Sequence, residues 1–189
     1  RWYPSYRKAK ELLQQGAIGE LVSMYGMCQG GKPYPAWTAD EEGPMLHDAV
    51  HLFDMFRFFA GDCTHVMGTA LKRKLPFRVE DDAQMIFEFA GGTSAVALSN
   101  ELTRYSRFEL EIQGTEGILI LKDAGHLLFG SEQLMGHRRE PDPLIDWWGL
   151  KEMRFPAEYA YPNCPPARPI LWALQELVQI LAEGGVPSS

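Results

Sequence analysis

Residues 43–61 read Gly43-Pro-Met-Leu-His47-Asp48-Ala-Val-His51-Leu-Phe-Asp54-Met-Phe-Arg-Phe-Phe-Ala-Gly61, and the rest of the chain is organised around them. Pro44 suits the first turn of a helix, where its missing N–H would have no partner anyway. Gly61 suits the far end, where a left-handed residue closes a helix. Between them Leu46, Val50, Phe53 and Met55 to Phe59 supply an apolar stripe at roughly helical spacing. His47 and His51 are four apart, so one helical face presents both imidazoles. Asp54, three beyond His51, falls near that same face.

Two chemistries fit such a face. One is general acid–base work by an imidazole, with the second polar group orienting it or the substrate. The other is metal ligation, because His-Asp-Ala-Val-His has the outline of the His-Glu-x-x-His zinc motif, with Asp48 where that motif carries Glu. A third reading makes the histidines ordinary capping or packing residues. Spacing alone leaves all three open.

A chain of 189 residues can fill one core. Its 46% hydrophobic and 23% charged residues are those of a globular domain. A net charge of -7 leaves no basic surplus to displace counterions from phosphates, which argues against a nucleic-acid partner. No apolar run reaches bilayer length, and no secretory signal is visible. Cys28, Cys63 and Cys164 are an odd number, too widely spaced for a metal knuckle. They read as reduced thiols in a reducing compartment, and so as a cytoplasmic protein. Arg1 stands first where a natural chain starts with Met, so the chain is expected to be a fragment of a longer protein.

Around the central stretch, helical periodicity covers residues 3–15, with Tyr6, Ala9, Leu12 and Leu13 apolar and Lys8, Lys10 and Glu11 wet. It also covers 170–181, with Leu171, Leu174, Leu177, Val178 and Leu181 apolar. Extended segments are expected at 21–27, 64–72, 82–89, 93–102, 108–113, 117–122 and 126–129. Gly91-Gly92 and Gly114-Thr115-Glu116-Gly117 read as hairpin turns. Successive hairpins predict an α+β fold, a largely antiparallel open-faced sheet with helices on one face. Residues 132–166, rich in proline, read as irregular. In the loop 29–42, Lys32, Tyr34 and Trp37 suit a polar-substrate pocket, although Trp37 equally suits packing the loop down. The chain has no Gly-x-Gly-x-x-Gly after a strand and no Gly-x-Ser-x-Gly elbow.

The order of these motifs resembles the C-terminal, substrate-side domain of the Gfo/Idh/MocA family of nicotinamide-dependent oxidoreductases. The stretches that carry the resemblance are Arg1-Trp-Tyr-Pro4 with the helix to Gly16-Ala-Ile-Gly19-Glu20, and Trp37 ahead of His51-Leu-Phe-Asp54 and Gly61. Val79-Glu80-Asp81 before a strand, the Gly114-Thr-Glu-Gly117 turn and the closing Glu183-Gly-Gly-Val-Pro187 complete it. The resemblance implies that residues 1–189 are one such domain, cut from an enzyme whose N-terminal Rossmann half binds NAD or NADP and is missing here. It implies hydride transfer at a hydroxyl-bearing carbon of a sugar, polyol or related molecule, and homo-oligomers formed through the open sheet face.

Carried over position by position, the acid–base histidine of the family falls on His51. Four residues earlier, where the family commonly has Asp or Asn, stands His47, with Asp48 one later. His47 or Asp48 then sets the orientation or proton affinity of His51; Asp48, together with Lys32, Tyr34 and Trp37 from the reading of the loop, is expected to contact substrate. The family's helix accounts for His51 without a metal. Two rival readings are a zinc-dependent hydrolase built on His47 and His51, and a non-catalytic sugar-binding or dimerisation module. The isolated chain, lacking a cofactor site, is expected to be inactive as an oxidoreductase.

Overall fold

The computed structural model describes residues 1–30, 42–105, 107–123, 132–142, 147–153 and 168–185. Helix α1 (Pro4–Gln14) leads into strand β1 (Leu21–Gln29). A π-helical turn, Met45–Ala49, runs straight into α2 (Val50–Ala60). Strands β2 (Cys63–Leu71), β3 (Asp82–Phe89), β4 (Ser94–Asn100), β5 (Arg107–Gly114), β6 (Gly117–Asp123), β7 (Glu132–Asp142) and β8 (Trp147–Met153) come next, and α3 spans Arg168–Ala182. The eight strands form one sheet in the order β2-β3-β4-β1-β5-β6-β7-β8. Every pairing is antiparallel except β1 with β4, which is parallel.

The period-2 alternation of the strands decides which face is buried. Ala83, Met85, Phe87 and Phe89 of β3, Leu110 and Ile112 of β5, and Leu119 and Leu121 of β6 all point into one core. The α1 residues Tyr6 and Ala9 and the α2 residues Leu52, Met55, Phe56 and Phe59 cover it. Phe53 and Phe56 clasp the Phe87 ring at centroid distances of 5.1 and 5.6 Å. The opposite face leaves Tyr25, Ile86 and the edge-strand Met67 exposed. The expected α+β architecture, an open sheet with helices on one face, is what forms.

Three expectations need correction. The stretch 43–61 is not one regular α-helix. Its π-helical turn inserts an extra residue per turn and shifts the phase of the residues after it. Leu46 and Val50, expected in the apolar stripe, are therefore exposed, and Leu52 is fully buried instead. Residues 132–166 are not wholly irregular, because they contain β7 and β8. Pro141 is tolerated near the end of β7, opposite Trp148 in the last strand pair of the sheet. The apolar positions of α3 are exposed rather than buried, Leu171, Leu174, Val178 and Leu181 among them, and Arg7 reaches Glu176 at 3.4 Å. The strand expected at 126–129 lies outside the described residues.

Gly114-Thr115-Glu116-Gly117 does more than turn the chain. The Thr115 and Glu116 amides donate to Glu20 and Ile18 carbonyls at 2.9 and 2.8 Å, and the Glu20 amide donates to Thr115 Oγ1 at 3.1 Å. This pins the β5–β6 hairpin to the α1–β1 connection. A Cβ on Gly114 would lie 2.1 Å from the Ile18 carbonyl oxygen. Gly114→Ala is expected to cost about 2–3 kcal/mol of stability through overpacking against backbone, read as a lowered midpoint in urea unfolding.

Candidate functional site

The site forms where the π-helical turn meets the ends of the parallel pair β1 and β4. Gly30, just past β1, donates its amide to the Asn100 carbonyl at 3.0 Å. Glu101 comes directly after β4. The turn is held from below by Glu80, whose Oε1 accepts from the Met45 amide at 3.2 Å, a carboxylate suited to the positive end of a helix. Gly43 lies so close over that carboxylate that a Cβ would sit 2.2 Å from Glu80 Cδ. The Leu46 and His47 amides close on the Gly43 carbonyl at 3.1 and 2.9 Å.

This framework brings His47, Asp48 and Glu101 together, with one nitrogen or oxygen donor atom of each within 4.8 Å of the others. His47 Nδ1 and Asp48 Oδ1 are 3.2 Å apart. Asp48 and Glu101 are buried, and the His47 side chain keeps 29% of its surface open. His51, one turn on, is exposed. Asp54 belongs elsewhere. Arg1 Nε donates to its Oδ2 at 2.8 Å and Arg1 Nη2 bonds its other oxygen, a bidentate pair that ties the start of the chain to α2. Lys10 of α1 caps the other end of α2, donating to the Phe58 and Phe59 carbonyls at 2.7 and 3.3 Å. Burial and the neighbouring Arg1 charge lower its proton affinity.

Of the residues singled out from sequence, His47 and Asp48 are thus in direct contact and His51 is open to solvent on the same helical segment. Lys32, Tyr34 and Trp37 lie outside the described residues. Among the described residues the group of three or more donors that could hold a metal ion is His47, Asp48 and Glu101, without His51. Glu101 escaped the sequence reading. Thr93, Ala95, Ala97, Ser99 and Glu101 are all buried on one parity, so a charged residue in a core-facing register was the available signal.

The fold and site together define an α+β domain with a histidine-bearing helix laid over an open sheet. The chain belongs to the Gfo/Idh/MocA family: the model of the GFO/IDH/MocA C-terminal domain matches residues 6–120. A levoglucosan dehydrogenase of Pseudarthrobacter phenanthrenivorans is 26% identical over 173 residues, covering 69% of this chain and 43% of that protein. The solved structure of a levoglucosan dehydrogenase with NADH and levoglucosan matches at a TM-score of 0.75 and 20% identity, over 100% of this chain and 57% of that one. An oxidoreductase domain protein from Kribbella flavida matches at 0.75 and 19%, over 100% and 56%. An oxidoreductase from Agrobacterium radiobacter, solved with NAD+, L-tartaric acid and magnesium, matches at 0.72 and 18%, over 100% and 54%. The chain therefore spans about half the length of the relatives it matches. Among the described residues no helix is long and apolar enough to cross a membrane.

Proposed function

We propose that the protein carrying this chain is a nicotinamide-dependent oxidoreductase acting on a sugar, polyol or related hydroxylated molecule, and that residues 1–189 form its substrate-side domain. The observation that carries the reading is the helical segment where His47 contacts Asp48 at 3.2 Å and His51 stands exposed one turn on, in a family member. An imidazole so placed can accept the proton of a substrate hydroxyl. The His47–Asp48 pair beside it orients the substrate or the base. Lys32, Tyr34 and Trp37 are assigned further substrate contacts.

The described residues lack a strand–glycine turn–helix unit within a parallel sheet, the usual cradle for a dinucleotide pyrophosphate. They do not fit the cofactor, and its binding is assigned to residues beyond them. When bound, a nicotinamide would accept the hydride, and relatives solved with NAD+ or NADH favour such a cofactor. The open sheet face, with Tyr25 and Ile86 exposed, is the assigned surface for homo-oligomer contacts, and reduced thiols at Cys28 and Cys63 favour the cytoplasm.

The test is an assay of the full gene product with NAD and with NADP against a panel of sugars, polyols and hydroxy acids. Substrate-dependent reduction of one of the two is expected, and none from the 189 residues alone. No reduction with any hydroxylated substrate would leave the binding-module alternative.

A further inference from the structure

We propose that His47, Asp48 and Glu101 form a binding site for a first-row divalent metal ion, Mn2+ or Zn2+. One imidazole and two carboxylates are a donor set that such ions accept readily. The donor atoms already lie within 4.8 Å of one another. The His47 Nδ1 to Asp48 Oδ1 separation is 3.2 Å. Two ligands bound at roughly 2.1 Å to one metal stand about 3.0–3.5 Å apart, so an ion bound by both atoms would replace the hydrogen bond between them with little movement.

The ligands come from two rigid places. His47 and Asp48 sit on a helical turn that Glu80 holds at its start, and Glu101 comes after β4, its amide donating to the Asp81 carbonyl at 3.1 Å. Little ordering would remain for the ion to impose. Asp48 and Glu101 are buried, where their attraction for a cation is screened far less than at a surface. The positive end of the helix opposes a cation by about half a charge, and two carboxylates outweigh it. His47 is the open side, with 29% of its side chain exposed. An ion entering there would keep positions free for hydroxyl oxygens. The proposal does not depend on the oxidoreductase reading, because metal binding needs neither nicotinamide nor turnover.

The probe is Mn2+, which favours oxygen and imidazole and so avoids the exposed Cys63 thiol that Zn2+ would seek. Chelator-treated full-length protein is titrated with Mn2+ and followed by the loss of the free-ion electron paramagnetic resonance signal. One saturable ion per chain is expected, with affinity falling at least about tenfold in Glu101→Gln and in His47→Gln. Circular dichroism checks that each variant is folded, and the partly exposed His47 keeps the test decisive if the buried Glu101 variant fails to fold. Absence of saturable binding, or binding indifferent to both substitutions, overturns the proposal.

Discussion

If the full-length protein is the proposed oxidoreductase with His51 as its base, alanine at position 51 is expected to lower its kcat/KM by about 10²–10⁴-fold, the usual worth of a positioned general base. The melting temperature should barely move. His51 is exposed, and surface substitutions away from special contacts cost at most about 0.5 kcal/mol. That contrast makes the test clean, since loss of turnover with unchanged stability cannot be ascribed to a damaged fold. His47→Gln supplies the comparison. On the proposed roles His47, in contact with Asp48, orients the base and should lose less than the base itself. Equal turnover in wild type and His51→Ala would remove His51 from the mechanism, whatever the substrate proves to be.

The sheet was legible because its strands are half-buried, and half-burial writes itself into sequence as alternation. Met85, Phe87 and Phe89 against Gln84, Ile86 and Glu88 need no structure to read. The β7 strand was not legible. Its run His137-Arg138-Arg139-Glu140 lies toward the free edge of the sheet, with residues 138–140 exposed, and Pro141 comes next. Leu134 enters the core, but one such residue makes too short a pattern to read, and the backbone ladder to β6 and β8 carries the strand onward. In the site, the helix and its two histidines could be placed from spacing, because helical geometry is local. The π-helical turn could not, because it arises from contacts distant in sequence, including Glu80 beneath Met45 and Ser99 Oγ on the Pro44 carbonyl at 3.4 Å. Glu101 was invisible for a related reason. A carboxylate so far along the chain from Asp48 joins it only once β4 lies beside β1.

Asp81 carries the other large expected effect, and the reason again lies in parity. It precedes β3 in the register of Ala83, Met85, Phe87 and Phe89, and only 1% of it is exposed. Its carboxylate gathers the amides of Arg73, Lys74 and Leu75 at 2.7, 2.6 and 2.8 Å, closing the β2–β3 connection. Burial alone would push its carboxyl up. Hydrogen bonds from the Lys74, Leu75 and Arg73 amides, with its own, outweigh burial and hold it below the ordinary carboxylate range. A depressed folded value means stability present above the unfolded value and lost as pH falls through the folded one. Asp81→Ala is therefore expected to cost about 2–4 kcal/mol at neutral pH, since bonds to a charged acceptor are worth more than neutral ones. The gap between variant and wild type should narrow in acid as the wild-type carboxylate protonates, a trend that urea unfolding at several pH values would record. The same residue's carbonyl accepts the Glu101 amide at 3.1 Å, so loosening Asp81 should also weaken Mn2+ binding at His47, Asp48 and Glu101. A pH-independent loss of stability would show that the carboxylate charge is not what closes the connection.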